Sequence, residues 1–273
     1  MNHYPGNQAN RNLTKPQLEK QGMENQGPDK GSLMTKNSRL ATAFITTTAI
    51  SGLAMLAGSE LNMSALHHYQ FLSLLVLGAV TSRAKVKLPG IDGTMSVNLP
   101  FIMIAAAQLS LFETLMVALV SAALQSIPKR GGTFQAVKVL FNTSTIVLAS
   151  GVAAILLHND WLRAMHYSGT VALTAACGMF FLVNTLPVAT IIAITEGTGM
   201  MRIWSSIVHL SFPYYVACTG ITSMVTMVSQ HVGWQVPLAV LPVMLLMYRC
   251  YQGYFEPQAA DAKPLAQAAA AAR

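Results

Sequence analysis

The chain has 273 residues, of which 53% are hydrophobic and only 10% charged, and it carries a net charge of +7. A soluble domain normally carries about 25% charged residues, so the composition excludes an ordinary soluble protein. The positive balance does not indicate nucleic acid, which needs a basic face with interleaved aromatics that is missing here.

Apolar residues are unevenly distributed. Residues 1–39 are polar, with few large apolar side chains, and are expected to be disordered and cytoplasmic. This polar stretch is too long for a secretory signal, which needs an apolar run close behind a short basic start. Residues 40–255 form the membrane domain, and residues 256–273 an Ala-rich cytoplasmic tail. The expected fold is all-α, a polytopic membrane helix bundle.

A spanning helix needs about 20 mostly apolar residues. In chain order the candidates are Leu40–Leu56, Tyr69–Thr81 extended back to Ala65, Val137–Leu157, Gly169–Thr195, Ile203–Val228 and Gln235–Tyr251. That makes six full spans. With the amino terminus inside, every Lys and Arg of the 17 except Arg163 falls on the cytoplasmic side, as the positive-inside rule requires. Both termini are therefore expected in the cytoplasm, across a cell inner membrane.

The stretch Val97 to Ile127 has cytoplasmic charge on both flanks, so it must enter and return. Asn98 and Pro100 mark a helix start, and Ser110-Leu-Phe-Glu113 reads as a capping box that opens a second helix. At 1.5 Å per residue the two pieces reach roughly 16 and 25 Å, against a hydrocarbon core of about 30 Å. They are either two short spans or a re-entrant pair, shielded in both cases by neighbouring helices.

No hydrolytic, transfer or nucleotide-binding motif occurs, so no catalytic residue is assigned and the chain is not read as an enzyme. Cys177, Cys218 and Cys250 lie in apolar stretches without a CxxC pair and give neither a disulfide framework nor a zinc site. Five histidines (His67, His68, His158, His166 and His231) fall on the outer side without metal-ligand spacing. No metal and no cofactor is assigned. The Gly-rich stretch Leu88 to Thr94 follows Arg83, Lys85 and Lys87 and reads as a tight turn after a basic anchor, or as a phosphate cradle.

Polar residues inside spans mark candidate ligand sites. Asn142 and Thr145 lie in one span, and Asn184 and Thr185 in the next, followed by Pro187. They read as interhelical hydrogen bonds or as one polar wall of a ligand cavity, with the two asparagines meeting at similar depth. His209, in the following span, is a further candidate lining residue. Glu113 reads as a helix cap, or as a proton or cation site if the pair is re-entrant. Small-residue pairs such as Ala54 and Gly58, or Ala118 and Ala122, favour close helix packing.

Three stretches occur in order: Lys87-Leu-Pro-Gly-Ile-Asp-Gly-Thr-Met-Ser96; Val139-Leu-Phe-Asn142; and Phe181-Leu-Val-Asn-Thr185, continuing to Ile194-Thr-Glu-Gly197 and Phe212-Pro-Tyr-Tyr215. Together they resemble the amino-terminal membrane module found before GGDEF or HD-type catalytic domains in bacterial signalling proteins. The resemblance covers about residues 70–220 and implies a membrane sensory module, here without the catalytic domain. A looser likeness, by span number and small-residue helices, is to the substrate-binding membrane subunits of uptake systems. The expected function is small-ligand binding or sensing, with a transporter or substrate-binding subunit as the alternative. The expected partners are the lipid bilayer and a membrane or cytoplasmic signalling protein, and not nucleic acid.

Overall fold

The computed structural model describes residues 30–59, 68–87, 94–127, 135–159, 169–233 and 235–250, with Gly253. Among the described residues there are eight helices and one small hairpin. The readings made for residues 1–29, for the turn at 88–93, for His67 and His166 and for the 256–273 tail lie outside them.

Helix α1 is Lys30–Ala57. It starts ten residues before the apolar run, inside the segment expected to be disordered. The reason is that extending a formed helix costs far less than nucleating one. Its apolar part, Ser38–Ala57, has the length and hydropathy of a membrane span. Thr42, Thr46, Thr47 and Thr48 each return their hydroxyl to a carbonyl about one turn back, which satisfies polar groups in an apolar setting.

Helix α2 is His68–Thr81. It leads through β1, Lys85–Lys87, and β2, Thr94–Ser96, which pair antiparallel with Val86 opposite Met95. Among the described residues this hairpin is the departure from an all-helical expectation. Helices α3, Leu99–Gln108, and α4, Leu111–Ser126, follow. They have 10 and 16 residues, close to the expected pair. Pro100 sits in the first turn of α3, where no intrahelical donor is needed.

Helix α5 is Ala136–His158, α6 is Gly169–Glu196, α7 is Met200–Val232 and α8 is Val236–Cys250. By length and composition three helices suffice to cross a membrane: the apolar part of α1, α5 and α6. The other three expected spans fall on the 33-residue α7 and on the shorter α2 and α8, which do not meet the length and hydropathy of a span. Pro187 and Pro213 sit inside α6 and α7 without ending either helix.

Helix α5 is the hub of the bundle and packs against α1, α3, α4 and α6. Close crossings rest on small residues. A Cβ at Gly52 of α1 would meet the Ser144 backbone and Cβ at 3.0–3.1 Å, and one at Gly78 of α2 would lie 2.5 Å from Ser121 Oγ. The centre of the core is α3, where Phe101, Ile102, Met103, Ile104, Ala105 and Ala106 are all buried. By contrast Ile50, Leu53, Leu72, Val76, Met224 and Leu246 are exposed. Large apolar side chains around the outside of a bundle whose centre is also apolar are what a lipid-facing surface requires.

The α3–α4 pair returns to the face it left. Arg83, just after α2, donates to the Leu124 carbonyl at 3.4 Å, and Lys85 donates to the Ile127 carbonyl at 3.3 Å. Two basic side chains thus hold the end of α4 beside the hairpin that precedes α3. At the far end Gln70, in the first turn of α2, hydrogen-bonds Gln108 at the end of α3. Leu111, which opens α4, shares an open groove of about 420 Å³ with Ala154, Ile155, His158 and Asn159 at the end of α5. The turn between α3 and α4 therefore lies at the end of the bundle opposite the basic side chains.

Candidate functional site

The polar residues singled out in the spans do not share one wall. Asn142 donates from Nδ2 to the Ser126 hydroxyl at 3.0 Å, tying α5 to α4. Asn184 donates from Nδ2 to the Tyr215 hydroxyl at 2.9 Å, tying α6 to α7. Each asparagine thus faces a different neighbour. The expected meeting of the two amides at one depth is replaced by two separate seams.

Thr145 is buried and spends its hydroxyl on the Phe141 carbonyl at 2.8 Å. Thr185 donates to the Phe181 carbonyl at 2.7 Å, and its oxygen also accepts the Trp204 indole N–H at 3.2 Å. His209 is exposed on α7 and does not join the Asn184 seam.

The seam between α6 and α7 is the best-formed candidate. Trp204 and Tyr215, about three turns apart on α7, converge on the neighbouring residues Thr185 and Asn184. Phe181 packs edge-on against Tyr215, with ring centroids 4.7 Å apart, and against Phe212 at 6.4 Å. Phe180 also meets Tyr215 at 6.2 Å, and Tyr214 is buried beside it. Aromatic walls with a few fixed hydrogen-bonding groups are the usual make-up of a small-molecule site. Tyr215 and Trp204 are the members that sequence reasoning missed. The signal was present in Phe212-Pro-Tyr-Tyr215, but only tertiary pairing shows which tyrosine reaches Asn184.

Glu113 takes the expected capping role. The Ser110 side chain accepts the Glu113 N–H at 3.3 Å, while Glu113 Oε2 accepts the Ser110 N–H at 3.0 Å and the Ser110 hydroxyl at 2.9 Å. A capping box normally sits at a solvated helix start. Here the glutamate is 1% exposed. Thr114 reaches back to the Ala105 carbonyl at 3.0 Å and fixes the turn.

The family model MASE9 matches residues 61–254, from just before α2 to just past α8. The chain belongs to the MASE9 family. MASE domains are membrane-associated sensory modules of signalling proteins. The MASE9 match takes in α2 to α8, with both asparagine seams and the α3–α4 turn, while α1 precedes it. No curated protein sequence and no solved structure matches the chain.

Proposed function

We propose that this MASE9 chain is a membrane sensor that reads a small ligand at the α6–α7 seam. The observation that carries the reading is the pair of interhelical bonds, Asn184 to Tyr215 and Trp204 to Thr185, inside an aromatic shell. A ligand with its own donor and acceptor competes for the Asn184 amide and the Tyr215 hydroxyl. Binding then loosens one contact between α6 and α7 and favours a second packing of the two helices. Both helices contain an internal proline, and such a residue frees a carbonyl and weakens the helix locally. The chain carries no catalytic step in this reading, so its signal passes to a membrane or cytoplasmic partner. The finer topology belongs to the same proposal: six spans with a short helix pair, both termini cytoplasmic, in a bacterial inner membrane.

The test is native mass spectrometry of the chain purified in mild detergent. A bound small molecule is expected in the wild type and in Asn142→Ala, which alters only the α4–α5 seam. It is expected to be lost in Asn184→Ala and in Tyr215→Phe. A protein that carries nothing, or a ligand indifferent to Asn184→Ala, overturns the reading. The transport alternative draws on the interrupted α3–α4 pair, since broken helices often build transport sites. It requires solute flux by the purified chain in proteoliposomes.

A further inference from the structure

The α3–α4 turn contains a buried acidic side chain. Glu113 is 1% exposed, and its Oε2 is fully engaged by Ser110. Its Oε1 is buried with no hydrogen-bond partner. An ionised carboxylate accepts hydrogen bonds and donates none, and burying one without a counter-charge is among the costlier things a protein does.

Among the described residues, no Lys or Arg is shown to contact Glu113. Arg83 and Lys85, which precede α3, are committed to the Leu124 and Ile127 carbonyls at the other end of α4. The helix ends do not supply the balance either. Glu113 lies in the first turn of α4, whose positive end it would normally neutralise. Two residues lie between α4 and α3, which ends at Gln108 and presents its negative end to the same turn. The two half-charges offset one another, so neither helix end balances an ionised carboxylate here. Gln108, at this α3 terminus, is tied to Gln70 of α2. The titratable side chains of the described elements at this end of the bundle are His68 at the start of α2 and His158 at the end of α5. His158 is turned away, donating from Nδ1 to its own helix at the Ala154 carbonyl, 2.8 Å.

We infer that the α3–α4 turn is a binding site for a single monovalent metal cation, with Glu113 Oε1 as its anionic ligand. The Ala105 carbonyl already takes the Leu109 N–H and the Thr114 hydroxyl, so the carbonyls of α3 beyond it, which a helix end leaves without intrahelical donors, would complete an oxygen-donor set suited to a hard cation. The charge is monovalent because one carboxylate supplies it. Among the described residues there is no group of three or more His, Cys, Asp or Glu that would hold a more highly charged ion. The inference concerns binding alone and is independent of the α6–α7 reading.

The experiment uses the full chain in detergent at constant pH and ionic strength, with NaCl or KCl exchanged stepwise for choline chloride. The wild type is expected to show a saturable rise in Tm with one of the two metal cations that choline does not give. Glu113→Gln keeps the shape of the side chain and removes its charge, and its Tm is expected to be independent of the cation. A wild-type Tm indifferent to both cations overturns the proposal, as does an unchanged shift in Glu113→Gln. A shift that follows pH and not the metal cation also overturns it, because a proton then neutralises the carboxylate. Should Glu113→Gln fail to fold, line broadening of sodium-23 or potassium-39, whichever ion raised Tm, on the wild type and reversed by excess lithium, decides instead. Broadening that lithium does not reverse, or none at all, overturns the assignment.

Discussion

At the residue scale the two intramembrane asparagines have the same chemistry and different tasks. Each amide crosses a helix seam, and such bonds contribute about 0.6 kcal/mol on average in a membrane bundle. Asn184→Ala and Tyr215→Phe are therefore each expected to destabilise the fold modestly. Because they remove the same bond, the double substitution is expected to cost about 0.6 kcal/mol less than the sum of the singles. A double-mutant cycle on thermal unfolding measures this, and additivity would mean that the two side chains act separately. Ser110→Ala removes the cap of α4 and the hydroxyl contact to Glu113 Oε2, leaving only the backbone N–H contact. Loss of an N-cap costs about 1 kcal/mol in ordinary settings. A larger loss of Tm is expected than for Ser205→Ala on an exposed face of α7, because a buried carboxylate is left with fewer donors.

At the scale of elements the packing depends on small residues where helices cross. Gly52 of α1 meets Ser144 of α5 with no room for a larger side chain. Gly52→Val is expected to cost about 1–3 kcal/mol through overpacking, read as a lowered Tm, whereas Gly220→Val, where an added Cβ meets nothing within 4 Å, is expected to cost much less. Equal effects at the two sites would show that α1 is not held by this crossing. The helices themselves were legible from apolar run length. Val137–Leu157 and Gly169–Thr195 lie within one residue of the observed α5 and α6 bounds. The Ser110 to Glu113 capping box was legible because it is local, needing only two side chains three residues apart. The extension of α1 back to Lys30 was not, because helix propagation across polar residues leaves no periodic apolar signal.

For the whole molecule, the arrangement of basic residues and the return of the α3–α4 pair both predict an even number of crossings. A reporter active only in the cytoplasm, fused after Arg273, is expected to be active. The same reporter inserted after Gly233, between α7 and α8, is expected to be silent. Activity at both positions would sink the proposed topology. Membership of the MASE9 family and the apolar exterior agree on a membrane-associated helical domain, and both follow from composition spread along the chain.

The sequence by itself determined the class of protein, most of the helix positions, the capping box and the family. These depend on residue type and near neighbours, which hydropathy and local spacing report directly. The tertiary structure decided which helices share each polar seam, sending Asn142 to Ser126 and Asn184 to Tyr215. It also decided that Glu113 is buried with one oxygen unmatched. Those outcomes depend on the rotation of each helix about its axis and on the neighbours it meets. When helices are apolar on nearly every face, a one-dimensional pattern does not say which face turns inward.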